Sequence, residues 1–252
     1  MRFCPHWGKA RGGRVSFPEK ARELVLASQS PRRRELLALL GLPFKVFTAN
    51  LDEVPQVGEA PADLVVRLSR AKAHAARLEY GQDTEDGCGT VLFIACDTIV
   101  ALDGDLLGKP RDEDEATAML HRLRGRFHSV HSAVTLVKAA TGNTLTDAAE
   151  TRLRMRAYTD AEIAAYVASG DPLDKAGAYA IQHPGFHPVA ELQGCYASVM
   201  GLPLCHLARC LRGWGVEPLY DVSTACQLHT DRRCAVYPKI LNSQSVTVND
   251  DQ

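Results

Sequence analysis

No apolar run in this 252-residue chain approaches the length of a membrane span, so no transmembrane helix is expected. Met1–Lys20 lacks the apolar core of a secretory signal, and the expected location is therefore cytoplasmic. Neither sign of charge dominates. The 29 Lys and Arg nearly cancel the 30 Asp and Glu, and a net charge of −1 gives no global field for nucleic acid or an anionic membrane. A dense disulfide framework is absent too. Cys4, Cys88, Cys96, Cys195, Cys205, Cys210, Cys226 and Cys234 are scattered, and free thiols are expected. There is no Cys-x-x-Cys pair. The nearest zinc-like spacing, Cys226-x2-His229-x4-Cys234, has no evident fourth ligand, and ordinary polar tail residues explain it as well. Gly104-Asp-Leu-Leu-Gly108-Lys-Pro110 is not a P-loop: only three residues separate the glycines, and Pro110 replaces the hydroxyl residue after the lysine. No internal repeat is evident.

What remains is an ordinary globular composition, 46% hydrophobic and 23% charged, in a chain long enough for one large domain or two small lobes. Leu24–Ala27 is a short apolar run suited to a covered strand. Ser30 is a good N-cap and Pro31 suits the first helical position. Leu36, Leu37 and Leu40 recur at helical spacing, and Gly41 supplies a stop. Arg32-Arg33-Arg34 at that helix start is unusual, because cations there oppose the positive end of the helix dipole. A bound phosphate would reverse the cost, with free N–H groups and forked guanidiniums forming a cradle. At this point a solvated helix face explains the three arginines equally well.

Met1–Arg22 reads as a basic lead-in and Phe44–Ala49 as a second strand. Leu51–Pro61 is an acidic loop with Asp52, Glu53 and Glu59. Ala62–Tyr80 predicts a helix with Leu64, Val65, Leu68, Ala71, Ala75 and Leu78 as its stripe, and Gly81–Gly89 a polar loop. Thr90–Leu102 predicts a central strand interrupted by Asp97. A carboxylate in so apolar a run must be paired, protonated or metal-bound. Gly104–Pro110 reads as a turn, and Asp112–Arg124 as a helix capped by Asp112. Ser129–Ala139 and Ala148–Arg156 read as strands about a turn at Thr141–Asn143. Thr159-x-x-Glu162 is a capping box opening a helix to Ser169. Leu173–Ile181 predicts an irregular turn and short strand, His183–His187 a loop, and Leu202–Leu211 a final helix. Residues 23–215 are expected as the main domain and 216–252 as an appendage.

Several segments fit one pattern in order: Leu26-Ala-Ser-x-Ser-Pro-Arg-Arg-x-Glu-Leu-Leu37, Arg70-Ala-Lys-Ala73, Asp97-Thr-Ile-Val100, Gly108-Lys-Pro110, Met119-Leu-x-x-Leu-x-Gly125, Asp174-Lys-Ala-Gly-Ala-Tyr179 and Gly201-Leu-Pro-Leu204. Together they resemble the Maf family of nucleoside triphosphate pyrophosphatases, once named for septum formation. The resemblance implies an α/β fold, a twisted mixed sheet flanked by helices in two lobes with a nucleotide cleft. It implies hydrolysis of a nucleoside triphosphate to monophosphate and pyrophosphate, a divalent cation such as Mg²⁺ or Mn²⁺, and often a homodimer. Arg32, Arg33, Lys72 and Lys109 match phosphate-binding positions. Asp97 matches the residue usually assigned as proton acceptor, and it could equally hold the metal. Glu53 is a candidate second acid for that metal. Thr98 and Gln182, with Arg32, match positions linked to substrate selection. The Asp174–Gln182 segment is similar to the branch acting on UTP and dTTP. The alternative is a non-catalytic nucleotide-binding regulator of division. A nucleic-acid binder using Arg32–Arg34 is disfavoured by the near-zero charge.

Overall fold

A computed structural model describes residues 23–49, 51, 53–80, 91–243 and 247–249. The expected lead-in Met1–Arg22 and loop Gly81–Gly89 lie outside these residues, as do Cys4, Asp52 and Cys88. The elements run β1 (Glu23–Ala27), α1 (Pro31–Ala38), β2 (Phe44–Phe47), α2 (Pro61–Tyr80), β3 (Val91–Leu102), β4 (Asp105–Leu107), α3 (Glu113–Leu123), β5 (Phe127–Lys138), β6 (Thr144–Met155) and α4 (Asp160–Val167). They continue as β7 (Val189–Gln193), α5 (Tyr196–Met200), α6 (Leu204–Gly213), α7 (Val222–Thr230), α8 (Tyr237–Asn242) and β8 (Thr247–Asn249). The result is one mixed sheet flanked by helices, ordered β2-β1-β3-β5-β6-β7, with β4 paired to β3 and β8 to β6. β1 runs parallel to both its neighbours, and every other pair is antiparallel.

β1 and the first half of β3 are apolar on both faces because helices cover both. Val25, Ala27, Phe93 and Ala95 pack with Ala73 and Ala76 of α2. The alternate residues Leu24, Leu26, Leu92, Ile94 and Cys96 join the larger core containing α1, α3, α5 and α6. The local signals at α1 work as the sequence suggested: Ser30 Oγ accepts from Arg33 N, and Pro31 opens the helix. Asp112 caps α3, and Thr159 and Glu162 form the reciprocal box at α4.

Other expectations need correction. The stripe of α2 shifts in its second half: Ala73 and Ala76 are buried and Leu78 is exposed, since small residues let the helix approach Phe93 closely. The turn after β3 contains a short strand, β4. Leu173–Ile181 holds no strand. Two 3₁₀ turns, Asp171–Asp174 and Ala176–Ala178, replace it. Gly177 sits at φ 69° and donates its N–H to Gly108 O at 3.0 Å, which bends the chain away from extended geometry. A Cβ there would stand 3.1 Å from Val100. β6 starts at Thr144, and the Leu202–Leu211 helix is α6, which starts only after Pro203.

The segment after Gly215 is seated on the body. Leu219 N donates to Leu40 O at 2.9 Å, and Tyr220 lies against Gly41, where a Cβ would come within 2.7 Å of the ring. Arg209 of α6 donates to Ile240 O at 3.1 Å. No helix among the described residues is long and apolar enough to cross a membrane.

Candidate active site

β1 ends at Ala27, with Leu26 in register with Ile94 of β3. β4 joins the same edge of β3 only from Val100. Between them, the Ala95–Ile99 stretch of β3 is paired only with β5. The chain leaves β1 through Ser28-Gln29-Ser30 and turns into α1, so the space beyond the carboxyl end of β1 stays open. Such gaps are where α/β sheets place ligands. Here a cavity of about 530 Å³ occupies the gap.

Arg32, Arg33, Glu53, Lys72, Asp97, Thr98, Lys109 and Gln182, all picked out in the sequence, line this one cavity. Arg34 is exposed and is not part of the lining, which reduces the three-arginine cradle to two.

Strand alternation divides the polar groups between the two faces of β3. Asp97 follows Phe93 and Ala95 toward α2, where Lys72 meets it. Lys72 Nζ lies 2.5 Å from Asp97 Oδ1 and 2.9 Å from Glu53 Oε1, so one ammonium bridges two carboxylates. Asp97 is only 4% exposed, and this pairing answers the cost of placing a carboxylate in an apolar strand. The loop carrying Glu53 is tied to α2 by Arg67 Nε, 2.6 Å from Glu59 Oε1.

Thr98 faces the other way. Its hydroxyl lies 2.9 Å from Ser132 Oγ on β5 and accepts from Arg33 Nη2 at 3.5 Å. Arg33 also donates through Nε to Gly201 O at 2.9 Å and through Nη1 to Ser28 Oγ at 3.3 Å. Arg33 is therefore a brace across the cavity floor that carries a fixed positive charge. Arg32 stands at the rim, with Nη1 3.4 Å from Asp174 Oδ2. Lys175, 7% exposed, fixes that carboxylate from behind at 2.6 Å and also bonds Asp171. Burial alone would push the Asp171 and Asp174 carboxyls up. Tyr166 and Lys175 at the first, and Lys175 and Arg32 at the second, hold both below the usual range.

Lys109 makes no ion pair with any described residue. Five Lys and Arg against three acids line the cavity, so it is locally positive in a chain of net charge −1. No three His, Cys, Asp or Glu among the described residues are placed to hold a metal ion by themselves. Yet Glu53 and Asp97 converge on one positive charge, that of Lys72. A Mg²⁺-type ion usually takes one or two carboxylates, with substrate phosphates and water completing its shell, and the donor set fits that arrangement.

Sequence reasoning assigned no role to Ser28, Ser132, Asp174, Lys175 or the carbonyl of Gly201. Asp174 and Lys175 carried a signal, adjacent opposite charges in an irregular turn. A small hydroxyl within a strand, as at Ser132, carries none.

A family model described as Maf-like protein matches residues 23–214. The chain is 49% identical over 195 residues to a protein from Methylococcus capsulatus, covering 77% of this chain and 92% of that one. It is 45% identical over 201 residues to one from Geobacter metallireducens, covering 79% and 99%. It is 42% identical over 198 residues to one from Pelotomaculum thermopropionicum, covering 79% and 100%. Each of the three is named dTTP/UTP pyrophosphatase.

Proposed function

The chain belongs to the Maf family, and from that premise we propose that it is a nucleoside triphosphate pyrophosphatase that cleaves dTTP or UTP between the α and β phosphates, releasing the monophosphate and pyrophosphate. The observation that carries the reading is the Lys72 ammonium bridging Asp97 and Glu53 inside a cavity with an excess of cations. A binder without turnover has no use for a buried acid among phosphate-seeking cations.

A triphosphate carries about four negative charges near neutral pH, so attack by water needs surrounding positive charge and a proton acceptor. Arg32 and Lys109 gather the phosphates, and the fixed guanidinium of Arg33 sets the potential at the floor. Lys72 holds Asp97 Oδ1, leaving Oδ2 without a protein partner among the described residues, free to take the proton of the attacking water. When bound, Mg²⁺ or Mn²⁺ at Glu53 and Asp97 would neutralise phosphate charge as a Lewis acid. Gln182, exposed at the rim, and Thr98 contribute to selection of the base. A homodimer is part of the same proposal, and its support is the family resemblance.

The test is pyrophosphate release from a panel of canonical and modified triphosphates with Mg²⁺ present. Release of single phosphate, or no turnover on any pyrimidine triphosphate, would overturn the reading.

A further inference from the structure

α5 borders two cavities. Val199 and Met200 at its end line the candidate site. Cys195, Tyr196 and Ala197 at its start line a second cavity, of about 430 Å³, beside the C-terminal segment. Cys205, Cys226 and Cys234 line that cavity as well. His229 does not, and among the described residues the Cys226–Cys234 spacing brings no metal site together. Buried hydroxyls hold α5 against the sheet. Ser132 Oγ on β5 donates to Ser198 O at 2.8 Å, and Thr151 Oγ1 on β6 lies 2.9 Å from Ser198 Oγ. Ser132 Oγ also lies 2.9 Å from Thr98 Oγ1. Counting protons fixes the direction of that last bond. A hydroxyl has one proton to give, and a carbonyl can only accept. The contact with Ser198 O takes the Ser132 proton, so Thr98 must donate to Ser132. Thr98 then has no proton left for the cavity. It keeps two lone pairs, one engaged by Arg33 Nη2 and the other available at the cavity that Thr98 lines.

We propose that Ser132 is a positioning residue: by claiming the Thr98 proton it makes that hydroxyl an acceptor only, which selects a pyrimidine carrying a ring N–H, uracil or thymine, against cytosine. The inference rests on the nucleotide reading of the cavity. Ser132 is fully buried and is not in the cavity lining, so it acts through Thr98. The base belongs on this side because the walls there are uncharged. Val100 shares a face of β3 with Thr98 and pairs with Val130 of β5, and Ala176, Tyr179 and Ala180 complete the lining. Lys72 and Glu53 meet Asp97 on the opposite face. Uracil and thymine offer an N–H at N3, where cytosine has a lone pair. Cytosine would set two acceptors against each other, with neither satisfied. The exposed Gln182 amide can present either its oxygen or its NH₂, so it does not reject cytosine by itself. The locked Thr98 hydroxyl does.

The experiment measures binding of the α,β-methylene analogues of UTP and CTP to the full chain by calorimetry, so its result does not depend on turnover. The unsubstituted protein should prefer the uridine analogue by about tenfold or more, the scale of one unsatisfied buried acceptor. Ser132→Ala frees the Thr98 proton to turn toward cytosine N3, and the preference should fall to within about threefold. Ser198 O keeps the Gly201 N–H at 3.0 Å in that variant, so α5 stays seated, and circular dichroism checks it. Ser132→Thr retains the hydroxyl and should retain the preference, which a purely structural role for Ser132 would not require. An unchanged preference in folded Ser132→Ala, loss of preference in Ser132→Thr, or no binding of either analogue would overturn the proposal. Preference without pyrophosphate release from UTP would instead overturn the enzymatic reading and leave this one standing.

Discussion

The two cavities are similar in size and opposite in construction. The first is lined by charges already paired across it, Lys72 with Asp97 and Glu53, Arg32 with Asp174. The second gathers four cysteines beneath a segment outside the family match. In the first, opposed charges set the positions of the side chains before any ligand arrives, and that preorganisation is what electrostatic catalysis requires. In the second, position is set by the packing of the tail, through Tyr220 on Gly41 and Arg209 on the carbonyl of Ile240. This difference predicts that each cavity can be disabled without disturbing the other.

The largest expected effect is at Asp97. Asp97→Asn keeps the shape and removes the proton acceptor, so kcat should fall by about 10²–10⁴-fold, the span for a lost general base. Pyrophosphate release and circular dichroism check it together. The thiol-labelling rate of the second cavity should not change, and a change would break the comparison.

The next effect falls on stability. His128 is buried beside Tyr179, its Nε2 2.7 Å from the phenol oxygen, and burial holds the imidazole down to about 4. The unfolded chain takes up that proton below about pH 6.5 while the folded chain does not. Stability is therefore complete above that pH and is lost as pH falls toward about 4, by at most about 3 kcal/mol. Urea midpoints across this window should show the slope, and His128→Gln should flatten it.

Gly41→Ala tests the tail. A side chain at φ 72° is strained and meets Tyr220, so a loss of roughly 1–2 kcal/mol is expected in thermal unfolding. Labelling of Cys226 and Cys234 should speed up, with catalysis at low temperature preserved. Smallest is Gln182→Ala at the exposed rim. The unfolding midpoint should not move, while the ratio of kcat/KM between UTP and other triphosphates shifts within about tenfold.

The first cavity was legible in the sequence because its parts carry local signals. An aspartate in an apolar strand and a Ser-Pro helix start followed by arginines are each visible within a dozen residues. The order of the motifs did the rest. What the sequence hid is long-range. Arg33 reads as a phosphate-binding position, and nothing near it in the chain shows that Gly201, far along the sequence, takes its Nε–H. Gly177 was visible as a glycine, but the contact with Gly108 that turns its segment away from strand geometry was not. β7 is short and half-exposed, so it gives little periodicity, and the tail helices α7 and α8 bury few residues of their own. The four thiols are too widely spaced for any spacing rule to unite them.

The eight-residue helix α1 carries Arg32 to the cavity rim and Leu36 and Leu37 into the core on one rod. One residue inserted between Arg33 and Leu36 would rotate the later side chains by about 100° against the earlier ones. Leu36 and Leu37 could then stay buried only if Arg32 left the rim, so hydrophobic seating and anion capture would fail in the same event. The spacing along this short rod therefore ties the greasy anchor to the charged fingertip.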